Sequence, residues 1–139
     1  MPWFEPIVAS GAVFAEAPHP GQAALMLLDA LQPTGVTTLV LDRYALAPVL
    51  GATAEVHPTA VVQILDSGVF ANLGTVVSPV GPAKPGAPVL EVTLEHDSGE
   101  VRKSEVRGGR LEVLTHPAGQ AAQLAPTLPG GAASRCVQT

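Results

Sequence analysis

Of the 139 residues only one is cysteine, Cys136, so no internal disulfide framework can staple this chain. Positive charge is nearly as scarce. Seven Lys and Arg stand against twelve Asp and Glu, the net charge is −5 with a pI near 5.2, and no Lys or Arg precedes Arg43. Without a basic patch there is no electrostatic footprint for nucleic acid or an anionic membrane surface, and neither is expected as a partner. No apolar run approaches the roughly 20 residues that cross a bilayer, and Pro and Gly interrupt the longest ones. The first residues also lack the basic start and apolar core of a secretory signal, so a cytoplasmic location is expected. The four histidines, His19, His57, His96 and His116, show no paired spacing, and with a lone Cys they form no zinc pattern. Neither a GxxxxGK[ST] phosphate loop nor a GxGxxG fingerprint occurs.

What is present is apolar and punctuated. Hydrophobic residues make up 47% and charged residues 14%, which argues against disorder, while 14 Gly and 14 Pro favour short elements and tight turns. The length suits one domain, or a small domain plus a fragment. A short apolar strand, Pro6 to Ala9, leads into the small-residue turn Ser10-Gly11-Ala12. The helix Pro20 to Leu31 follows, opened by a proline suited to the first turn and closed by Gln32-Pro33-Thr34-Gly35. A second strand, Val36 to Asp42, completes a βαβ-like unit. Both strands are continuous apolar runs, the pattern of a sheet covered on both faces. The helix is apolar almost all round and calls for neighbours on several sides. Arg43 to Gly51 and the stretch after Pro58 predict brief helices.

From Leu73 the pattern changes. Thr75 to Ser78 predicts a strand, and Pro79 to Pro88 a loop. Val89 to Glu95 alternates, with Leu90, Val92 and Leu94 on one face. His96 to Gly99 predicts a hairpin turn returning through Glu100 to Val106. Turns at Arg107-Gly108-Gly109 and Pro117-Ala118-Gly119 frame further strands, Arg110 to Thr115 and Gln120 to Leu128, with Leu111 and Val113 as inward candidates. The expected architecture is an α/β remnant over residues 1–70, a small antiparallel β-barrel or sandwich over 71–128, and a flexible Gly/Ala-rich tail over 129–139.

Few residues offer chemistry. Asp97 and Glu100 flank a turn and read as a solvated pair. Asp66-Ser67-Gly68 has no base or oxyanion hole to make the serine a nucleophile, and nothing near Cys136 beyond Arg135 would activate it. Ser10, Gly11 and Ala12 differ in kind: a small-residue turn between a buried strand and a helix lets backbone approach a ligand closely. The same residues also serve a purely structural strand-to-helix turn.

The runs Val8-Ala-Ser-Gly-Ala-Val-Phe14, His19-Pro-Gly-Gln-Ala-Ala-Leu-Met-Leu-Leu-Asp-Ala-Leu-Gln-Pro33, Gly35-Val-Thr-Thr-Leu-Val-Leu-Asp42 and Leu50-Gly-Ala52 resemble the C-terminal part of the MutL/GlmL-type glutamate mutase accessory proteins. The likeness continues through Asn72-Leu-Gly-Thr-Val-Val-Ser-Pro-Val-Gly81, Leu111-Glu-Val-Leu114 and Pro117-Ala-Gly-Gln120. It implies an actin-like ATPase fold and a chaperone-like role in reactivating a cobalamin-dependent mutase. The strand–turn–helix from Val8 to Leu31 would then be the adenosine-contacting element of the second ATPase lobe, with Ser10, Gly11 and Ala12 as cofactor-binding residues. The Asp-bearing phosphate hairpins of that fold lie N-terminal to the resembling part, so the chain is expected to be a non-catalytic C-terminal piece. No cofactor is expected in isolation, whereas ATP and magnesium are implied for a full-length relative. Partners would be the mutase, the N-terminal ATPase part, or a second copy held through the helix Pro20 to Leu31. The rival expectation is a non-enzymatic β module, Leu73 to Leu128, that binds a protein and folds by itself.

Overall fold

The computed structural model describes residues 5–81, 84–96, 99–115, 122–127 and 136–138. The chain divides into two units between Ser78 and Pro79.

The first unit is a three-stranded mixed sheet with helices. Strand β1, Ile7–Ser10, lies parallel to β2, Gly35–Asp42, and between them run a single helical turn, α1 at Ala12–Ala15, and the helix α2, Pro20–Leu31. Pro20 fills the first turn of α2, where its missing N–H costs nothing. At the other end Gln32 enters the left-handed region, φ 45°, and donates its N–H to the Leu28 carbonyl at 2.9 Å, which closes the helix before Pro33. Two short helices follow, α3 at Ala47–Ala54 and α4 at Pro58–Asp66, with Leu50 and Val61 as their buried residues. Strand β3, Phe70–Ser78, then pairs antiparallel with β2 from Gly35↔Ser78 to Asp42↔Phe70. Leu39 faces Gly74 and Val40 faces Asn72, leaving Leu73 as the extra residue of a bulge. Thr75 to Ser78, expected to open the β module, thus belongs to the first sheet.

The core of this unit joins Ala9 of β1, Ala23 and Leu27 of α2, and Leu39 and Leu41 of β2. Ala23 and Leu27, four residues apart, put one stripe of α2 on the sheet, while Leu25 and Leu31 remain more than half exposed. The helix therefore buries one face, not several. The sheet is likewise covered unequally. Thr37, Leu39 and Leu41 are buried on the helix side, whereas Val36, Thr38 and Val40 are half-buried and Val8 on the edge strand is exposed. The unbroken apolar runs reflect two rows of different burial, since alternate side chains of a strand point to opposite faces.

The second unit is an antiparallel sheet of four strands, β4 at Pro88–His96, β5 at Val101–Arg107, β6 at Ala122–Thr127 and β7 at Cys136–Gln138, in the order β5-β4-β6-β7. Leu90, Val92 and Leu94 form the buried row of β4 as their alternation predicts, and His96 extends it. Three expectations are corrected. Among the described residues the sheet is open, with β5 and β7 at its ends, and it is neither a closed barrel nor a second packed layer. Leu111–Thr115 forms no strand, and Leu111 and Val113 are exposed, because β4 already carries β5 and β6 on its two edges. Alternation assigns faces but supplies no ladder partner. Finally, Cys136–Gln138, expected in a loose tail, pairs with β6. Asp97, His116, the turn Pro117–Gly119 and residues 129–135 lie outside the described residues.

Candidate functional site

The parallel pairing of β1 and β2 sets Ser10 opposite Asp42 at the carboxyl ends of both strands. Open α/β sheets present ligand crevices at such ends. Three small residues follow from β1. Ser10 and Ala12 are exposed, and Gly11 is half-buried with φ 113° and ψ 159°, a conformation essentially reserved for glycine. The Gly11 carbonyl accepts from the N–H groups of Phe14 at 3.2 Å and Ala15 at 3.0 Å, so the turn winds directly into α1. A Cβ placed on Gly11 would meet nothing within 4 Å, so the space in front of the turn is open.

Asp42 is the polar centre of this end of the sheet and is 1% exposed. Its Oδ2 accepts from the Ser10 hydroxyl at 3.0 Å and from the Ala47 N–H at 2.8 Å, and its Oδ1 accepts from the Leu46 N–H at 2.9 Å. Burial pushes its carboxyl up, but the hydrogen bonds from the backbone of Ala47 and Leu46, the Ser10 hydroxyl and the backbone of Tyr44 together outweigh that and hold it below its ordinary value. The carboxylate caps the start of α3 and ties it to both parallel strands. With both oxygens engaged by the chain itself, Asp42 is a structural anchor for the turn and not a free base.

The expected residues Ser10, Gly11 and Ala12 thus sit together at one sheet end, but only Ser10 brings a side chain into the polar cluster. Asp42 was not legible as part of it. The usable signal was an acid closing an apolar strand shortly before a helix whose first N–H groups need an acceptor. His19 and His57 stand at the N-caps of α2 and α4 and make no capping hydrogen bond through their side chains. Ser67 donates its hydroxyl to the Ile64 carbonyl at 2.6 Å at the end of α4. Glu100 is held below its usual range by Arg102, whose Nε lies 2.8 Å away. Among the described residues no group of three His, Cys, Asp or Glu is placed to hold a metal ion, and no helix is long and apolar enough to cross a membrane.

No family model, no curated protein and no solved structure matches the chain. The functional reading therefore rests on the residues, their geometry and the resemblance of the sequence runs described above.

Proposed function

We propose that the chain serves as a non-catalytic C-terminal piece of a chaperone-like accessory factor for a cobalamin-dependent glutamate mutase, offering its strand–turn–helix as one wall of an adenosine pocket. One observation carries this reading: the small, accessible turn Ser10-Gly11-Ala12 lies at the carboxyl ends of two parallel strands, with open space before Gly11 and the buried, hydrogen-bonded Asp42 carboxylate holding Ser10 in place. The resemblance of the runs around Val8 to Asp42 supplies the family and the partner. ATP and magnesium belong to the complete factor in this reading, because phosphoryl transfer needs residues that position the phosphates, a metal and a water, and the Ser10 turn offers none of these. A ligand held on one wall stays half in water, so nucleotide affinity of the lone chain is weak.

Two measurements on the purified chain test this. Titration calorimetry with ADP should give weak binding that Gly11→Val abolishes, and sedimentation with a purified cobalamin-dependent glutamate mutase should give a complex. Magnesium-dependent ATP turnover by the chain alone would refute the non-catalytic reading, and the absence of both nucleotide binding and a mutase complex would refute the family reading. Apart from the rival β module, the exposed side chains Leu25, Met26 and Leu31 of α2 offer apolar surface that suits a protein partner, which within this reading is the mutase, the N-terminal ATPase part or a second copy.

A further inference from the structure

Strand β5 closes one end of the second sheet, with β4 its only neighbour among the described strands. The backbone phase of its open side follows from the hairpin. The His96 N–H donates to the Glu100 carbonyl at 2.9 Å, and the register continues as Leu94↔Arg102, Val92↔Ser104 and Leu90↔Val106. In an antiparallel ladder the hydrogen-bonded pairs alternate, so the even-numbered residues of β5 turn their N–H and C=O groups toward β4. Val101, Lys103, Glu105 and Arg107 turn theirs outward. The side chains of those same four residues share one face of the sheet.

Charged edges normally repel added strands. Here the sign alternates, and the consequence depends on register. Two copies of β5 meeting antiparallel about a two-fold axis must pair outward residues with outward residues. Centring the axis on Lys103 sets two lysines face to face, and centring it on Glu105 sets two glutamates face to face. Centring it on Ser104 sets each Lys103 opposite Glu105 of the other copy and Val101 opposite Arg107, with no like charges paired. The same arrangement answers a tension within the chain. Glu105 lies directly across from Glu91 of β4, and its carboxylate is engaged by Arg107 at 3.0 Å. A lysine arriving on the open side of Glu105 offsets the like-charge pair.

We propose that β5 is a homodimerisation edge, joining two copies into a continuous eight-stranded sheet by antiparallel pairing centred on Ser104. The contact is self-complementary, as a two-fold interface must be. It rests on main-chain hydrogen bonds, with the Lys103–Glu105 pairs selecting the register.

Sedimentation velocity on the full chain, from micromolar to millimolar concentration and at low and high salt, tests this, with far-UV circular dichroism to confirm that each variant folds. The wild type should dimerise and weaken as salt rises. Lys103→Glu and Glu105→Lys should each weaken the dimer at least about tenfold, because two symmetry-related pairs become like-charged at once. The double variant carrying both changes should recover the dimer. A wild type that stays monomeric throughout, a dimer indifferent to either single reversal, or a double variant that fails to recover would each overturn the proposal. Indifference together with loss of the dimer on Leu25→Glu would place association on α2 instead.

Discussion

Replacing Asp42 with asparagine keeps the shape of the side chain and removes its charge, so the change isolates what the carboxylate contributes. Three donors converge on it, the Leu46 N–H at 2.9 Å, the Ala47 N–H at 2.8 Å and the Ser10 hydroxyl at 3.0 Å. Hydrogen bonds to a charged acceptor contribute about 1.5–3 kcal/mol each, but helix-cap replacements cost about 0.5–2 kcal/mol because water re-solvates part of what is lost. Ser10 is exposed and Leu46 and Ala47 are half-buried, so water reaches these donors. An asparagine keeps one acceptor and turns an NH2 toward a backbone donor. The expected loss is about 2–3 kcal/mol, a large share of the ~5–15 kcal/mol that holds a small domain together.

The pH dependence carries a second, independent check. In the folded chain the Asp42 carboxyl sits below its ordinary 3.8. A depressed folded value means that its stabilisation is complete above the unfolded value and is lost as pH falls through the folded one. The gap between wild type and Asp42→Asn should therefore be full at pH 7 and narrow below pH ~4, with the other acids cancelling in the difference. Urea denaturation followed by circular dichroism at neutral and acid pH reads both numbers. Equal midpoints at pH 7, or a gap that persists unchanged in acid, would refute the assignment of Asp42 as the anchor of the strand ends.

Thr37 is buried with its hydroxyl unpartnered among the described residues, so Thr37→Val should raise stability by about 1–2 kcal/mol in the same urea titration. Gly11→Ala meets open space yet forces a side chain into a glycine-only backbone region, and should lower the stability of the first unit by about 1–3 kcal/mol without changing its fold. Leu94→Ala should cost about 2–5 kcal/mol in the second unit, seen by amide exchange as faster exchange along β4 while β2 keeps its protection. In the wild type the central strands β2 and β4 should hold their amides with comparable strength. Weak protection confined to β2 would restore the expectation that only the β half folds alone.

Local signals were legible and distant pairings were not. The bounds of α2 follow from Pro20 at its start and the Gln32-Pro33 breaker at its end, both readable within one turn of chain. The row Leu90, Val92, Leu94 is equally local. By contrast, Phe70–Ser78 joins β2 across some thirty residues of helices and turns, and nothing in its own composition distinguishes a third strand of the first sheet from a first strand of the second. Leu111 and Val113 alternate as convincingly as Leu90 and Val92 but end exposed, because burial depends on which edges of β4 are already taken.

The candidate site divides along the same line. Ser10, Gly11 and Ala12 declare a tight turn by size alone. The strand ends, however, are held by an acid that sequence places 32 residues from Ser10. Buried carboxylates persist only where donors surround them, so Asp42 on an apolar strand signals a local network before the network is seen. That reasoning also separates the two polar residues buried on β2. Asp42 is matched by three donors from two segments, whereas Thr37 has none among the described residues. The end of the sheet near Ser10 is thus built around satisfied charge, while Thr37, further along β2, is buried with no hydroxyl partner among the described residues. If the turn at Gly11 binds a ligand, the carboxylate holds the backbone in place for it and leaves direct contact to the exposed main chain of residues 10–12.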